Sequence, residues 1–306
     1  MLRILIISLI LQLTLSADNF TGLWETSYGM LRMNQNETKV NGIYDSSSEA
    51  ELSGEIKDNR FTFKYSEGKG VKGEGWFQLS DDKQSLTGKW RPEKGDKWTS
   101  WTGKRVKNTP NRNWLIILEA NWETSLNEKE YSWGDTLKSY FKRFKNVEVR
   151  HRFFTGKKSI QKWIREINFI PGPVYLMIST HGTEEGVSVN SEILTEDVFI
   201  KPLKSLSNLK LLHFAACLIM NGQGPQKIHA SKPASKFPIS GYTTSVDWTQ
   251  SAVLEMLYFS LLFESRMKPE KAVEQVKLNF PSASKKIKGS KFVNAGFKIL
   301  SPPNSN

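Results

Sequence analysis

The sequence predicts two domains: a small antiparallel β-barrel, and after it an α/β domain whose mostly parallel sheet has helices on both faces. The chain has 306 residues, which is enough for two domains of ordinary size. In the first third of the chain, a short strand-like pattern that contains glycine and large side chains repeats. In the rest, short apolar runs alternate with segments whose apolar residues have helical spacing. The expected division is a signal peptide at residues 1–17, the barrel at 18–106, a polar, proline-broken linker at 107–112 and the α/β domain at 113–306.

The N-terminal residues have the pattern of a secretory signal peptide. Arg3 supplies a positive charge, residues 4–15 are almost entirely apolar, and the small residues Ser16 and Ala17 follow. The apolar stretch is too short to span a bilayer, and no later stretch reaches about eighteen apolar residues. We therefore expect a secreted or periplasmic protein without a membrane span; a buried N-terminal helix is the alternative.

The charge and the cysteine content limit the classes of binding partner and of chemistry that are expected. The net charge is +12, and basic chains are attracted to nucleic acid, anionic lipid and acidic glycans. The lysines and arginines are spread along the chain, and the nearest approach to a run is residues 284–291, so no dedicated nucleic-acid site is expected. Cys217 is the only cysteine, which excludes an internal disulfide and leaves this residue as a small buried hydrophobe or a reactive thiol.

In seven runs of the first domain, apolar and polar residues alternate. Glycine recurs in these runs, with a large side chain two residues after it. The runs lie at residues 20–26, 40–46, 52–58, 61–67, 73–79, 86–92 and 101–107. Alternation with period two indicates strands, and turn-forming residues separate the runs. Short strands at spacings of roughly ten residues are typical of a meander that closes into a small barrel.

The phrases "FTGLW" and "LTGKW" resemble strands of avidin- and lipocalin-like barrels. The resemblance implies a small ligand or a surface partner for this domain. Two interpretations of its large aromatic side chains stay open, since they either line a ligand cavity or fill the core. The residues concerned are Trp24, Tyr44, Tyr65, Trp76 and Trp90.

The second domain alternates strands with helices. Strands are predicted at residues 113–121, 147–154, 172–180, 208–217 and 237–244, with a small hairpin at 186–194. Helices are predicted at residues 133–146, 157–167, 196–206, 248–264 and 268–279, the third of them capped by Thr195. Sheets of this kind bind ligands beyond the carboxyl ends of their strands, which directs attention to the residues that follow each strand.

Two successive strands end in residues that carry chemistry. One strand ends at His181-Gly182 and the other at Ala216-Cys217. A cysteine nucleophile needs a base close enough to take its proton, and the attacked carbonyl needs donors for its oxyanion. We expect the backbone N–H groups of Gly182 and Cys217 to be those donors, because a glycine has no Cβ to obstruct a substrate. The alternatives are a surface histidine and an inert buried cysteine.

The same blocks resemble the caspase-like cysteine peptidases of the CHAT type. "STHGTEEG" at 179–186 resembles their His-Gly block, "LLHFAAC" at 211–217 resembles their strand that ends in Ala-Cys, and residues 240–262 resemble the strand and helix that follow. The resemblance covers about residues 112–282. It implies peptide-bond hydrolysis through a thioacyl-enzyme, with a protein or peptide substrate. His181 would be the general acid/base, Cys217 the nucleophile, and Gly182 with Cys217 the oxyanion donors.

The chain also departs from that family. Ala215 stands where caspases have glutamine and metacaspases have aspartate, and Leu218 and Ile219 replace the arginine and glycine that follow the caspase cysteine. Cleavage after aspartate is therefore not expected, and the acid that gives metacaspases their preference for lysine or arginine is missing as well. Ala215 and Asp247 are the substrate-binding positions that the resemblance suggests, with Asp247 either a carboxylate for a basic residue or the cap of its helix.

The remaining histidines are expected to stand apart from this site. His213 is predicted to face away from the edge that carries Cys217, and neither His151 nor His229 is expected to have an acid or a cysteine nearby. No metal-ligand spacing and no glycine-rich phosphate loop occur, so no cofactor is expected. The rival to an endopeptidase is a non-catalytic binding or scaffold protein with a degenerate caspase-like domain.

Overall fold

The computed structural model describes five stretches of the chain, which divides into two compact units after Val106. The stretches are residues 19–46, 49–109, 111–123, 125–231 and 237–302. The signal peptide predicted at residues 1–17 lies outside them. No helix in these stretches is both long and apolar enough to cross a membrane.

The first unit is a closed antiparallel barrel. Its strands are β1 (Gly22–Thr26), β2 (Gly29–Asn36), β3 (Lys39–Tyr44), β4 (Ala50–Lys57), β5 (Arg60–Glu67), β6 (Val71–Leu79), β7 (Ser85–Pro92), β8 (Thr99–Ser100) and β9 (Gly103–Arg105). Consecutive strands pair from β1 to β7, and β9 pairs with both β7 and β1. These eight strands form a ring, and the two residues of β8 add to β7. The predicted barrel is confirmed, with two strands that the seven runs did not include, β2 and the two-residue β8.

Aromatic side chains pack the interior of the barrel. Trp24, Tyr44 and Tyr65 are buried in its core, and Trp90 is partly buried against the same cluster. Trp76 lies apart from that cluster, with the guanidinium of Arg60 stacked 4.4 Å above its ring. The first four side chains therefore fill the core, whereas Trp76 does not line the interior.

The second unit contains a six-stranded mixed sheet and a three-stranded sheet. Its strands are β10 (Asn113–Ala120), β11 (Val147–Phe154), β12 (Val174–Ser179), β13 (His181–Gly182), β14 (Val187–Val189), β15 (Glu192–Leu194), β16 (Leu209–Ala215), β17 (Ile239–Tyr242) and β18 (Phe297–Leu300). The larger sheet has the order β11-β10-β12-β16-β17-β18. All of its pairs are parallel except β17–β18, and β13, β14 and β15 form the smaller antiparallel sheet.

Helices cover both faces of the larger sheet. They are α1 (Trp133–Phe141), α2 (Lys157–Glu166), α3 (Glu196–Lys204), α4 (Gly224–Ala230), α5 (Trp248–Phe263) and α6 (Pro269–Asn279). Residues of β10 alternate between the two cores: Ile116 and Leu118 pack with α2, α3 and α4, whereas Leu115 and Ile117 pack with α1, α5 and α6. The predicted two-faced α/β architecture is confirmed, but α1 ends five residues before the expected position 146, and α4 and β18 were not anticipated.

Candidate active site

The ends of two neighbouring parallel strands define the site. β12 pairs with β16, and the last pair in their register is Ser179 with Ala215. His181 and Cys217 each follow two residues after that pair. The structure therefore places the imidazole-bearing and the thiol-bearing segments side by side at the carboxyl edge of the sheet, as the order of the two motifs led us to expect.

A pocket of about 120 Å³ opens at this edge. His181, Cys217 and Ala215 all line it, so three of the expected site residues meet in one cavity. Its other lining residues come from the loop after β10, from α1, from the ends of β12 and β16 and from the start of α5. They are Trp122, Trp133, Ser179, Thr180, Ala216, Val246, Trp248, Ser251 and Glu255.

The sulfur of Cys217 is held by the segment that follows β17. The backbone N–H of Val246 donates to Sγ at 3.4 Å, and Sγ lies 3.8 Å from the carbonyl oxygen of the same residue. Leu218 follows with φ of 64°, a left-handed conformation that is strained for a side chain of this size, and its N–H donates to Thr244 O at 3.2 Å. The turn after β16 is therefore held by the segment that follows β17, and Cys217 in it is half-buried.

Gly182 approaches the backbone of Cys217 closely. A Cβ at position 182 would lie 2.4 Å from the carbonyl oxygen of Cys217 and 3.1 Å from its nitrogen. Glycine is therefore required by contact with the protein itself, a reason different from the access for substrate that the sequence suggested. Thr183 N donates to Gly186 O across the β13–β14 pair, and since such bonds alternate along antiparallel strands, the N–H of Gly182 faces away from β14.

His181 is exposed and is positioned by an aromatic contact. The ring of Trp122 meets the imidazole edge to face, with ring centroids 4.8 Å apart. Trp122 in turn packs on Trp248 at 4.2 Å and donates from Nε1 to Glu119 Oε1 at 2.8 Å. No hydrogen bond to the imidazole of His181 occurs within the described stretches of the chain.

Glu119 ends β10 and ties the surrounding loops together. Its fully buried carboxylate accepts from Ser132 Oγ at 3.0 Å and from the backbone N–H groups of Trp133 and Gly134 at 2.8 and 3.0 Å. It thereby anchors the N-terminus of α1, where a negative charge is favoured. Burial raises the pKa of Glu119, but the hydrogen bonds from His151, Trp122 and these N–H groups outweigh burial and lower it overall.

The expectation that His151 lacks acidic neighbours is wrong. Its Nε2 lies 2.8 Å from Glu119 Oε2, and its Nδ1 lies 3.3 Å from Asp135 Oδ1. The strand β11 that carries His151 pairs with β10, so the two side chains meet across the sheet although 32 residues separate them. His229, by contrast, bonds the carbonyl oxygen of Phe237 at 2.8 Å.

His213 also differs from expectation. It lies on the same face of β16 as Ala215, because residues two apart on a strand share a face. The imidazole is fully buried, its Nδ1 lies 2.9 Å from Ser240 Oγ, and its Nε2 lies 3.6 Å from Glu255 Oε1. His213 therefore contacts the wall of the pocket from below and does not face away from it.

Glu255 is the pocket residue that the sequence analysis missed. It is fully buried, it lines the pocket, and it accepts hydrogen bonds from Trp133 Nε1 and from Tyr242 Oη, the latter at 3.1 Å. The sequence could have pointed to Glu255, because it is the only charged residue in α5, whose other residues are apolar or neutral. A single acid inside such a helix is costly to bury unless it is paired or functional.

Asp247 adopts the second of the two roles considered for it. It is the N-terminal cap of α5, and its Oδ1 accepts from Gln250 N at 2.7 Å. It is exposed and is not among the residues that line the pocket. The acid that α5 presents to the pocket is Glu255, two turns further along the helix.

Comparison with known proteins gives no match: no protein-family model fits the chain, and no curated protein is significantly similar to it in sequence. Within the described stretches, no group of three or more His, Cys, Asp or Glu side chains is arranged to hold a metal ion.

Proposed function

We propose that this protein is a cysteine endopeptidase of the caspase-like type, with Cys217 as nucleophile and His181 as general acid/base. The observation that carries the proposal is that both residues line one pocket at the carboxyl ends of adjacent parallel strands. The hydrogen bond from Val246 N–H to Sγ adds support, because a donor directed at sulfur stabilises negative charge there.

The proposed reaction proceeds through a thioacyl-enzyme. Sγ of Cys217 attacks the carbonyl carbon of the scissile bond while its proton passes to His181. The carbonyl oxygen becomes an oxyanion and accepts hydrogen bonds from the N–H groups of Gly182 and Cys217. The C–N bond then breaks, and His181 gives the proton to the leaving amine. Water deprotonated by His181 hydrolyses the thioester and restores the thiol.

The directions and hydrogen bonding of the N–H groups of Gly182 and Cys217 support their proposed role as oxyanion donors. The N–H of Gly182 faces away from β14, and the N–H of Cys217 has no acceptor in the part of the chain that the structure describes. Both lie at the turn where the substrate carbonyl would sit. An oxyanion donor contributes about 10²–10³-fold to the rate in enzymes of this general chemistry.

A thiol-directed peptide probe tests the proposal. The full chain is incubated with peptidyl acyloxymethyl ketones that differ in the residue before the reactive group, and the labelled residue is mapped by mass spectrometry. We expect labelling at Cys217, its loss in Cys217→Ala, and a fall of about 10²-fold or more in His181→Ala. His229→Ala, a histidine outside the pocket, is the matched control and keeps the wild-type rate.

The second candidate is a non-catalytic scaffold. It is favoured by the imidazole of His181, which no carboxylate or carbonyl of the described residues orients, and by Leu218 and Ile219 after the cysteine. A folded chain that no probe labels, whatever residue precedes the reactive group, would establish the scaffold and refute the peptidase.

The place of action is proposed from residues 1–17. Their signal-peptide pattern favours export, so a chain expressed with them is expected to appear outside the cytoplasm and to begin near residue 18. N-terminal sequencing of the exported chain measures this, and an intact Met1 would contradict it.

A further inference from the structure

Most of the positive charge of the chain lies in one segment. The net charge is +12, and residues 138–165 contain ten lysines and arginines but a single acid, Glu148. Apolar and neutral residues separate most of these cations, so the sequence shows no long run of charge. They are Lys138, Lys142, Arg143, Lys145, Arg150, Arg152, Lys157, Lys158, Lys162 and Arg165.

Folding brings the segment to one edge of the larger sheet. It runs from α1 through β11, which ends the strand order, to α2. Phe141 of α1 packs in the core on one face of the sheet and Ile160 of α2 in the core on the other, so the two helices flank β11 from opposite sides. Nine of the ten cations are exposed, and Arg165 is half-buried. We call the surface formed by these ten side chains the basic edge.

Aromatic rings hold three of the cations in place. The guanidinium of Arg150 lies 5.0 Å from the ring centroid of Trp114. Trp163 of α2 has two cations against its ring, Arg152 at 5.8 Å and Lys162 at 4.9 Å. A neutral ring attracts a cation without cancelling its charge. These side chains are therefore ordered in advance, which lowers the entropy that a binding partner must overcome.

The cations of β11 repeat along the strand. Arg150 and Arg152 lie on one face of it, about 7 Å apart, because they are two residues apart. Glu148 precedes them on the same face and lies 3.0 Å from Arg150 and 2.7 Å from Arg112, so one acid is shared between two cations. A row of cations of this kind suits a partner with repeated anionic groups better than a single phosphate or carboxylate.

The side chains of the basic edge favour one class of polyanion over two others. The bases of a single-stranded nucleic acid stack on free aromatic faces, whereas the rings of Trp114 and Trp163 already lie against cations. A membrane-binding surface inserts apolar side chains beside its cations. The exposed Phe153 points to the other face of β11 from Arg152, because successive residues of a strand alternate.

We propose that the basic edge binds an acidic polysaccharide, one that carries sulfate or carboxylate groups along its length. The repeated anions of such a polymer pair with the repeated cations of β11 and α2, and sugar rings require no free aromatic face or inserted apolar side chain. The export proposed from residues 1–17 would bring the chain to the glycans outside the cytoplasm. The proposal is independent of the peptidase function.

A labelled heparin oligosaccharide tests the proposal by fluorescence polarisation. The full chain is titrated at about 150 mM NaCl, where exposed charges more than about 8 Å apart are largely screened. We expect heparin to bind, and the triple variant Arg150→Ala, Arg152→Ala, Lys162→Ala to weaken binding at least about tenfold, the scale that three exposed charge contacts give.

A second triple variant controls for total charge. Lys285→Ala, Lys286→Ala, Lys288→Ala removes three exposed cations from a different part of the second unit and changes the net charge equally. We expect its affinity for heparin to stay within about threefold of the wild-type value, as charges outside the contact act only through the screened field.

Glu148→Gln changes the affinity in the opposite direction. It removes the acid that lies beside Arg150 and Arg112, so heparin should bind about two- to threefold more tightly. A variant that is merely damaged in folding would bind more weakly, so tighter binding reports on charge alone.

Short duplex DNA and phosphatidylserine vesicles are the comparison ligands. Tighter binding of either one than of heparin would overturn the polysaccharide as the partner. Equal losses in the two triple variants would show that binding follows total charge, and would overturn the basic edge as the site. Absence of heparin binding at about 150 mM NaCl would also overturn the proposal, and none of these outcomes bears on Cys217.

Discussion

The carbonyl oxygen of Cys217 occupies the space that a side chain at Gly182 would need. A Cβ at position 182 would lie 2.4 Å from this oxygen, a separation that backbone atoms can avoid only by moving. Gly182→Ala is therefore expected to shift the Cys217 turn and to lower the rate of probe labelling by about 10²-fold, the usual cost of a displacement near 1 Å in an active site. Labelling kinetics measure the effect, with circular dichroism as the test of folding.

A glycine with room for a methyl group is the control for that variant. The nearest atom to a Cβ at Gly224 is 4.0 Å away, so Gly224→Ala should label at the wild-type rate. Equal labelling by both variants would show that the contact between Gly182 and Cys217 does not position the nucleophile.

The left-handed conformation of Leu218 leads to a second prediction, which concerns both stability and labelling. A β-branched residue at φ near 64° is more strained than leucine, so Leu218→Ile should lower the free energy of unfolding by about 1–2 kcal/mol. It should also slow labelling, because the turn that contains Leu218 holds Cys217 against Val246. Urea unfolding and probe kinetics give the two values. Leu218→Met, unbranched at Cβ, is the control, and an isoleucine variant as stable as the methionine variant would contradict the prediction.

The buried carboxylate of Glu119 should make the free energy of unfolding depend on pH. Glu119→Gln is expected to lower the free energy of unfolding at pH 7 by about 3 kcal/mol, since it breaks a buried network that includes His151 and the N-terminus of α1. The pKa of Glu119 in the folded chain is below its ordinary value of 4.5. Its stabilisation is therefore complete above pH 4.5 and is lost as the pH falls from there through the folded pKa.

The difference in free energy of unfolding between wild type and Glu119→Gln should accordingly narrow as the pH falls below 4.5. Urea unfolding at several pH values measures it. Glu185→Gln, which removes an exposed acid, should show no such pattern. A difference that widens as the pH falls below 4.5 would contradict the lowered pKa of Glu119.

Trp101 provides a test of the barrel core. It is 3 % exposed, it meets the rings of Phe63 and Phe77, and its Nε1 donates to Thr26 Oγ1 at 2.9 Å. Trp101→Ala should cost about 3–5 kcal/mol through lost packing and the cavity left behind. Trp98 is 38 % exposed, so Trp98→Ala should cost much less. Thermal unfolding compares the two variants, and similar melting temperatures would contradict a core role for Trp101.

Local pattern predicted most of the fold, and the exceptions have physical reasons. Alternation identified the barrel strands except β8, which has two residues, and β2, where Leu31, Arg32 and Met33 are all buried in succession and period two is lost. β18 has only four residues, too few to show a period. α4 begins at Gly224-Pro225 and lacks an apolar stripe long enough to be recognised. These elements form because of what they pack against, which the local sequence does not contain.

The site was predictable to the extent that it depends on strand ends. His181 and Gly182 follow β12, and Cys217 follows β16. The parallel pairing of these two strands places all three residues at one edge of the sheet. Glu119 and Glu255 could not be placed in this way, since their partners come from other elements: Glu119 meets His151 across the sheet and Glu255 meets Trp133 of α1. Each left only a signal of its own presence, Glu119 as the one charge of β10 and Glu255 as the one charge of α5.

Closure of the barrel ring bears on how this protein self-associates. An open sheet ends in a row of unpaired N–H and C=O groups that can recruit a strand from another molecule, whereas a ring joined by the β6–β7 pair has no such row. The sheet of the second unit does end, at β11 and at β18. β11 carries two exposed cations, Arg150 and Arg152, against one on β18, Lys298, and such charges oppose strand addition. When the chain aggregates, intermolecular β-pairing should therefore begin at β18 and leave the barrel intact.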